Sequence, residues 1–337
     1  MIMRISTKHN WFAYIYLALL VLTFHRPAYS QLQQVTIGTN PAGTHSYTVA
    51  GAVARVIQDE SSIRSIIRPF SGSSAYVPLL HRGEITLGLV TNIDSYLSYS
   101  GREPYMAPMS NLRLIARGFP LYMMYMVRGD SDFYRIEDLR NQRVVVNIRA
   151  NAALGFLHKA ILATGGLDED SVNEITVGGL ADGARLLTEG RVDAVSIGVD
   201  TALTLQAHST IGGGIRYVTM GHDESKLAEL MPGSKVSPAP KGPTTIGLDN
   251  LPRVSEISHY INTGTHLSED DAYFLTKTIY EQWQGLRDNY SVLSEVNSEE
   301  MAPTNPSIPY HEGAIKYYKE IGLWTEEHQN NQAKFLE

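Results

Sequence analysis

Val35-Thr36-Ile37-Gly38-Thr39-Asn40-Pro41-Ala42-Gly43-Thr44-His45-Ser46-Tyr47 leaves a short β-branched run, crosses a loop of small polar residues and enters a helical pattern. Val49, Val53, Val56 and Ile57 continue that pattern on one face. The passage from Val144 to Asn151 repeats it in kind, 109 positions later. A second echo lies nearby: Leu79-Leu80-His81-Arg82-Gly83-Glu84-Ile85 resembles Leu186-Leu187-Thr188-Glu189-Gly190-Arg191-Val192, at an offset of 107. Two matches at nearly one offset read as two lobes built alike.

Further strand-like runs occur at residues 63–70, 85–90, 112–116, 121–128, 144–148, 192–197 and 215–220. Helical patterns separate most of them. One carries Leu154, Leu157, Ile161 and Leu162 and ends at Gly165-Gly166. The last third is mostly helical, with Ala272, Leu275, Ile279, Trp283 and Leu286 in one stripe. This alternation predicts an α/β fold with largely parallel sheets. Residues 223–252 are rich in proline and glycine and read as a long loop between lobes.

The chain has 337 residues, 43% of them hydrophobic, enough for two domains and too apolar for disorder. Its formal charge is −7, without the basic excess of a nucleic-acid binder. No cysteine is present, which removes disulfides, thiolate metal sites and cysteine nucleophiles.

Residues 1–30 read as a signal peptide. Arg4 and Lys8 form a basic start, and an apolar stretch runs from Trp11 to Phe24. Ala28-Tyr29-Ser30 predicts cleavage before Gln31. The stretch is short of the roughly 20 residues that span a bilayer. Cleavage removes Arg4, Lys8 and Arg26 and no acid, taking −7 to −10. The mature chain is expected in a periplasm, soluble and acidic.

In open α/β sheets, ligands bind beyond the carboxyl ends of strands, where helix N-termini make anion sites. Four such loops stand out. The first offers Thr39, Asn40, Gly43, Thr44, His45 and Tyr47, with Ser46 beside them. It lacks the Gly-Lys-Ser/Thr of a phosphate loop and the spacing of a dinucleotide fingerprint. The second is Ser71-Gly72-Ser73-Ser74, whose hydroxyls and amides suit a carboxylate. The third is Thr91-Asn92-Ile93-Asp94, where Asn92 or Asp94 suits an amino group or hydroxyl and Asp94 equally suits a helix cap. The fourth is Asn147-Ile148-Arg149-Ala150-Asn151, where Arg149 is the expected bidentate clamp for a carboxylate and Asn151 a further contact. No metal-ligand spacing occurs among the 11 histidines, and no metal or other cofactor is expected.

At these residues the chain resembles the TAXI group of TRAP-transporter solute receptors, over nearly the whole mature length. Ile308-Pro309-Tyr310-His311-Glu312-Gly313-Ala314-Ile315-Lys316-Tyr317-Tyr318-Lys319-Glu320-Ile321-Gly322 carries it most specifically. Ile37-Gly38-Thr39, Gly43-Thr44, Tyr47, Gly51, Gly72-Ser73, Leu79-Leu80, Gly83 and Asp94 add to it. The resemblance implies a two-lobed periplasmic-binding-protein-like α/β fold (type II) with the ligand cleft between the lobes. One lobe would hold residues 31–120 with 255–337, the other 121–254. Residues 121–128 and 254–263 resemble the family's crossing segments, where a hinge would lie. Ile315, Tyr318 and Ile321 are expected on the packed side of the helix in that C-terminal segment. Departures fall on the loops: Asn40, Pro41 and Ala42 interrupt the opening glycines, Tyr76 stands where the family commonly has Asn, and Arg149-Ala150-Asn151-Ala152 replaces a Gly-Ser-Gly-Thr-like run. The family's ligand is glutamate- or glutamine-like; Arg149 favours a dicarboxylate or another anionic group.

The expected function is a monomeric receptor that binds a small organic anion and delivers it to TRAP-type membrane permease subunits. The alternative is a sensor subunit that signals to a membrane kinase. No local motif argues for an enzyme.

Overall fold

Val, Ile and Leu at alternate or continuous positions give strands whose neighbours are helices with one apolar face. The computed structural model describes residues 32–242, 245–248 and 253–335. The expected signal peptide lies outside the described residues. β1 (Gln34–Thr39), α1 (His45–Asp59), β2 (Arg64–Pro69), α2 (Ser73–His81), β3 (Leu87–Thr91) and α3 (Asn92–Ser100) form a first unit. After β4 (Leu112–Arg128), the same order recurs. It runs β5 (Arg143–Ile148), α4 (Ala153–Thr164), β6 (Asn173–Val177), α5 (Leu180–Thr188), β7 (Ala194–Gly198) and α6 (Ala202–Thr210). Equivalent strands begin 109, 109 and 107 residues apart, the spacing of the two sequence echoes.

The sheet order makes the duplication explicit. It runs β2-β1-β3-β10-β4-β7-β5-β6, where β10 is Arg253–Gly264. Within each unit the three strands are parallel, β2-β1-β3 and β6-β5-β7. Each trio then gains one antiparallel strand, β10 beside β3 and β4 beside β7. β4 and β10 also pair with each other, from Met123↔Ser255 to Leu112↔Gly264. The described chain is a mixed α/β fold of the two-lobed periplasmic-binding-protein kind. The expected lobe boundaries at 120/121 and 254/255 fall inside β4 and β10.

Several expectations change. The runs 112–116 and 121–128 are one strand, because Phe119 and Pro120 stay paired with His259 and Ser258. β6 was not read, and neither was β9 (Lys235–Pro238), which pairs with β10. Residues 223–252 are therefore more than a loop: they include α7 (Ser225–Leu230) and β9. The run 215–220 is a strand, β8, only over Ile215–Tyr217. The stripe from Ala272 to Leu286 spans two helices, α8 (Glu269–Glu281) and α9 (Trp283–Asn289), broken at Gln282.

Val49, Val53 and Ile57 of α1 are fully buried on β1 and β2. Burying such a side chain stabilises by about 1.5–3 kcal/mol. At the C-terminus α10 (Glu312–Glu320) lies against α8, followed by α11 (Glu326–Ala333). Gly313 permits the close approach: a Cβ there would stand 2.2 Å from the Glu269 carbonyl oxygen. Ile315 and Tyr318 are buried, but Ile321 caps the helix end and is exposed, contrary to expectation. The chain turns away at Gly322, whose φ is +74°. Among the described residues no helix is long and apolar enough to cross a membrane.

Candidate functional site

Six helices, three from each unit, begin at one cavity. Thr44, His45 and Ser46 open α1; Ser73 opens α2; Thr91 caps α3; Asn151 precedes α4; Leu180 opens α5; Thr201 caps α6. All of them line the cavity. Three of the starts are threonine caps, whose hydroxyls accept from the amides of Tyr47, Asp94 and Thr204. The first amides of each helix have no partner within the helix, and the dipole adds partial positive charge there.

The walls differ in polarity. The first unit contributes Asn40, Thr44, His45, Ser46, Ser73, Thr91 and Asp94, with Tyr76 as its one large ring. The second unit and its neighbour β4 contribute Leu121, Met123, Leu154, Leu180, Ile197 and Leu203, beside Asn151, Gly198 and Thr201. β10 adds His259, next to a shift in strand register between His259 and Tyr260. Its ring stacks on Phe119 with centroids 4.6 Å apart.

Hydrogen bonds cross the cavity. Asn151 Nδ2 donates to Asn40 Oδ1 and to Ser73 Oγ, each at 3.1 Å. The Ala152 amide donates to Ser74 Oγ at 3.1 Å. His45 Nε2 meets the Val199 carbonyl oxygen at 3.2 Å; a carbonyl only accepts, so this nitrogen carries the proton. Asp94 accepts from Ser73 Oγ at 2.6 Å and from Tyr105 Oη at 2.7 Å. Burial raises the Asp94 pKa, and the Ser73 and Tyr105 hydroxyls partly offset this. Burial lowers the pKa of His45, against the Val199 carbonyl and Asp200. Burial, with His45 adding to it, pushes His259 down to about 3.

Of the candidates read from the sequence, Asn40, Thr44, His45, Ser73, Asp94 and Asn151 line the cavity. Gly72 and Ser74 meet the opposite unit directly beside it. The others do not reach it. Thr39 is fully buried, with its hydroxyl unpartnered. Gly43 faces an outer depression shared with Asp200 and Tyr290. Tyr47 is half-buried outside the lining, and Ser71 is exposed. Asn92 is spent on structure: its Nδ2 donates to the Gly233 carbonyl oxygen and its Oδ1 accepts from the Ser258 amide. Arg149 lies off the lining. It is exposed and lines no part of the cavity, because the tight turn Arg149–Asn151 sends Asn151 inward and Arg149 outward. Sequence reading missed His259, and it named Thr201 only within the loop Val199-Asp200-Thr201, which departs from the resembled family, and not as a site residue. Thr201 had a signal, since it follows β7 as Thr91 ends β3.

The sequence profile of the NMT1-like family matches residues 37–322. The chain belongs to the NMT1-like family. The match spans both units, both crossing strands and α10. Solved structures share the fold. The alkanesulfonate-binding protein SsuA of Xanthomonas axonopodis pv. citri, bound to MOPS, aligns with TM-score 0.51 and 16% identity, over 89% of this chain and 83% of that one. A Bordetella bronchiseptica RB50 protein aligns with TM-score 0.52 and 15% identity, over 90% and 98%. The periplasmic aliphatic sulphonate binding protein SsuA of Escherichia coli aligns at 0.48 and 14%, over 90% and 99%.

Proposed function

We propose that this chain is the extracytoplasmic solute receptor of a TRAP-type transporter. It holds a small organic anion between two lobes and hands it to membrane permease subunits. The lobes are residues 31–120 with 255–337 and residues 121–254, and β4 and β10 form the hinge between them. Residues 1–30 are the export signal, the mature chain is periplasmic, and it works as a monomer. Asn40, Thr44, His45, Ser73, Asp94 and Asn151 contact the solute.

One observation carries this reading: six helix starts from two equivalent units converge on one cavity. Helix starts favour anions, and a cavity closed by hydrogen bonds from both sides suits capture and release. The family and the fold relatives support binding rather than catalysis. The resemblance in the C-terminal segment supports the TRAP type, and with it a glutamate-like or dicarboxylate solute as the starting panel.

The test is a thermal-shift screen on protein unfolded and refolded to strip any carried solute. The panel holds amino acids, dicarboxylates, keto acids, aromatic acids, alkanesulfonates and sugars. A solute at 100 times its Kd adds about 2.7 kcal/mol, several degrees in Tm. Shifts confined to sugars overturn the anion reading. For the transporter type, uptake by permease vesicles supplied with the loaded receptor should follow an ion gradient; a strict requirement for ATP overturns it.

A further inference from the structure

The cavity is two-faced. The first unit presents hydroxyls, amides and Asp94, and the opposite wall presents Leu121, Met123, Leu154, Leu180, Ile197 and Leu203. A small ion solvated on all sides gains nothing from the second wall. An amphipathic solute gains from both, because its apolar surface leaves water on the second wall.

Two buried polar groups on the lining lack partners. Asn151 is 2% exposed, and its amide nitrogen already serves Asn40 and Ser73, while its Oδ1 has no donor. The orientation is fixed by those partners: Asn40 Oδ1 needs a donor, and Ser73 Oγ gives its own proton to Asp94. Asn151 Oδ1 is therefore an unmatched acceptor, lying at the seam where a Cβ on Gly72 would stand 2.6 Å from it. His259 is 3% exposed, held by the stack on Phe119, and its Nδ1 is also unpartnered. A buried acceptor left unmatched is costly, so the solute should supply the hydrogen. Among the described residues the lining holds one carboxyl, two imidazoles and no Lys or Arg. One carboxylate can rest among the hydroxyls at the starts of α1 and α2; a second would reach the starts of α4 to α6 only beside Leu154, Leu180 and Leu203, with no side-chain counter-charge.

We infer that the solute is a monocarboxylic acid with an apolar side chain and a hydrogen-bond donor on the adjacent carbon, a 2-amino or 2-hydroxy acid. Its carboxylate takes the starts of α1 and α2, its donor meets Asn151 Oδ1, and its side chain lies on the leucine wall. This rests on the anion-receptor reading and narrows it.

The experiment is calorimetric titration of the stripped protein with leucine, 2-hydroxy-4-methylpentanoate, 4-methylpentanoate, glutamate, succinate and maltose. Leucine or the hydroxy acid should bind at least tenfold tighter than 4-methylpentanoate, glutamate and succinate, and the tighter of the two identifies the donor. In Asn151→Ala the substituted and unsubstituted acids should fall within threefold of each other. If that variant does not fold, the panel on the unaltered protein decides alone. Tighter binding of succinate or glutamate, or equal binding of 4-methylpentanoate, overturns the inference and leaves the anion receptor standing. Binding of maltose with no response to any carboxylate overturns both.

Discussion

Asn151 Nδ2 donates to Asn40 Oδ1 over 3.1 Å, tying the loop after β5 to the loop after β1. These loops occupy equivalent places in the two units. The same amide reaches Ser73, Ser74 takes the Ala152 amide, and His45 reaches the Val199 carbonyl. Side chains and loop amides therefore hold the units together across the cavity, while β4 and β10 join them through the sheet. Loop contacts can break without disturbing the core of either unit, which is what opening requires.

Gly72 tests this arrangement. A Cβ there would stand 2.0 Å from the Ala150 carbonyl oxygen, on the other unit. Its φ is 171°, extended backbone that alanine adopts freely, so the effect of Gly72→Ala is steric only. Overpacking of this kind costs about 1–3 kcal/mol. We expect it to fall on the closed state, weakening solute affinity by about 10- to 100-fold. The unliganded protein should keep its urea midpoint and gain a larger radius in solution scattering. Unchanged affinity would show that the loops separate little during binding.

Arg149→Ala should do almost nothing to affinity. A charge-assisted bond to the solute would be worth about 1.5–3 kcal/mol. The side chain is exposed and off the cavity lining, so we expect Kd to stay within about twofold. A tenfold weakening in calorimetry would bring the arginine back into the site.

The duplication was legible because two short echoes share one offset, and backbone geometry forces similar sequences at equivalent turns. The start of α1 was legible for the same reason, but the cap of α3 was read at Asp94, whereas Thr91 takes it and accepts from the Asp94 amide. β6 was not legible, since Asn173–Val177 mixes polar and apolar residues at the sheet edge and is only half-buried. β9 hides among prolines and is held by pairing with β10 rather than by its own preference. Arg149 was chosen for its chemistry, but direction within a three-residue turn is set by packing. His259 sits inside a strand, and only the register shift beside it, a tertiary feature, explains its place on the cavity wall.

Tyr105→Phe addresses Asp94. The mutation removes the 2.7 Å hydroxyl donor and leaves a buried carboxyl with the Ser73 and Thr91 side chains as its remaining partners. A hydrogen bond to a charged group contributes about 1.5–3 kcal/mol. Burial already raises the Asp94 pKa, and losing a donor raises it further. A carboxyl raised in the folded state holds its proton longer than in the unfolded chain, so stability falls as pH rises through that interval. The urea-measured loss in Tyr105→Phe should therefore be larger at pH 8 than at pH 5. An equal loss at both would mean that Asp94 does not change protonation in this range.

His158 sets the opposite pH trend. It is fully buried on α4, donates from Nδ1 to the Val146 carbonyl oxygen at 2.7 Å, and leaves Nε2 without a partner. Burial pushes its pKa from 6.5 down to about 4, with the Val146 bond opposing. The folded state thus keeps the ring neutral while the unfolded chain takes up a proton below pH 6.5. The contribution is complete above pH 6.5 and declines as pH falls towards 4. At pH 5 the difference is about 1.5 pH units below the unfolded value, or roughly 2 kcal/mol at 1.36 kcal/mol per unit. His158→Gln keeps a donor for Val146 and cannot titrate. Its stability drop between pH 7.5 and pH 5, measured by urea unfolding, should be smaller than that of the unaltered protein by about 2 kcal/mol. His259, displaced to about 3, adds a similar share that the variant leaves in place. An identical drop in both proteins would mean that water reaches the His158 ring and that it titrates as it does in the unfolded chain.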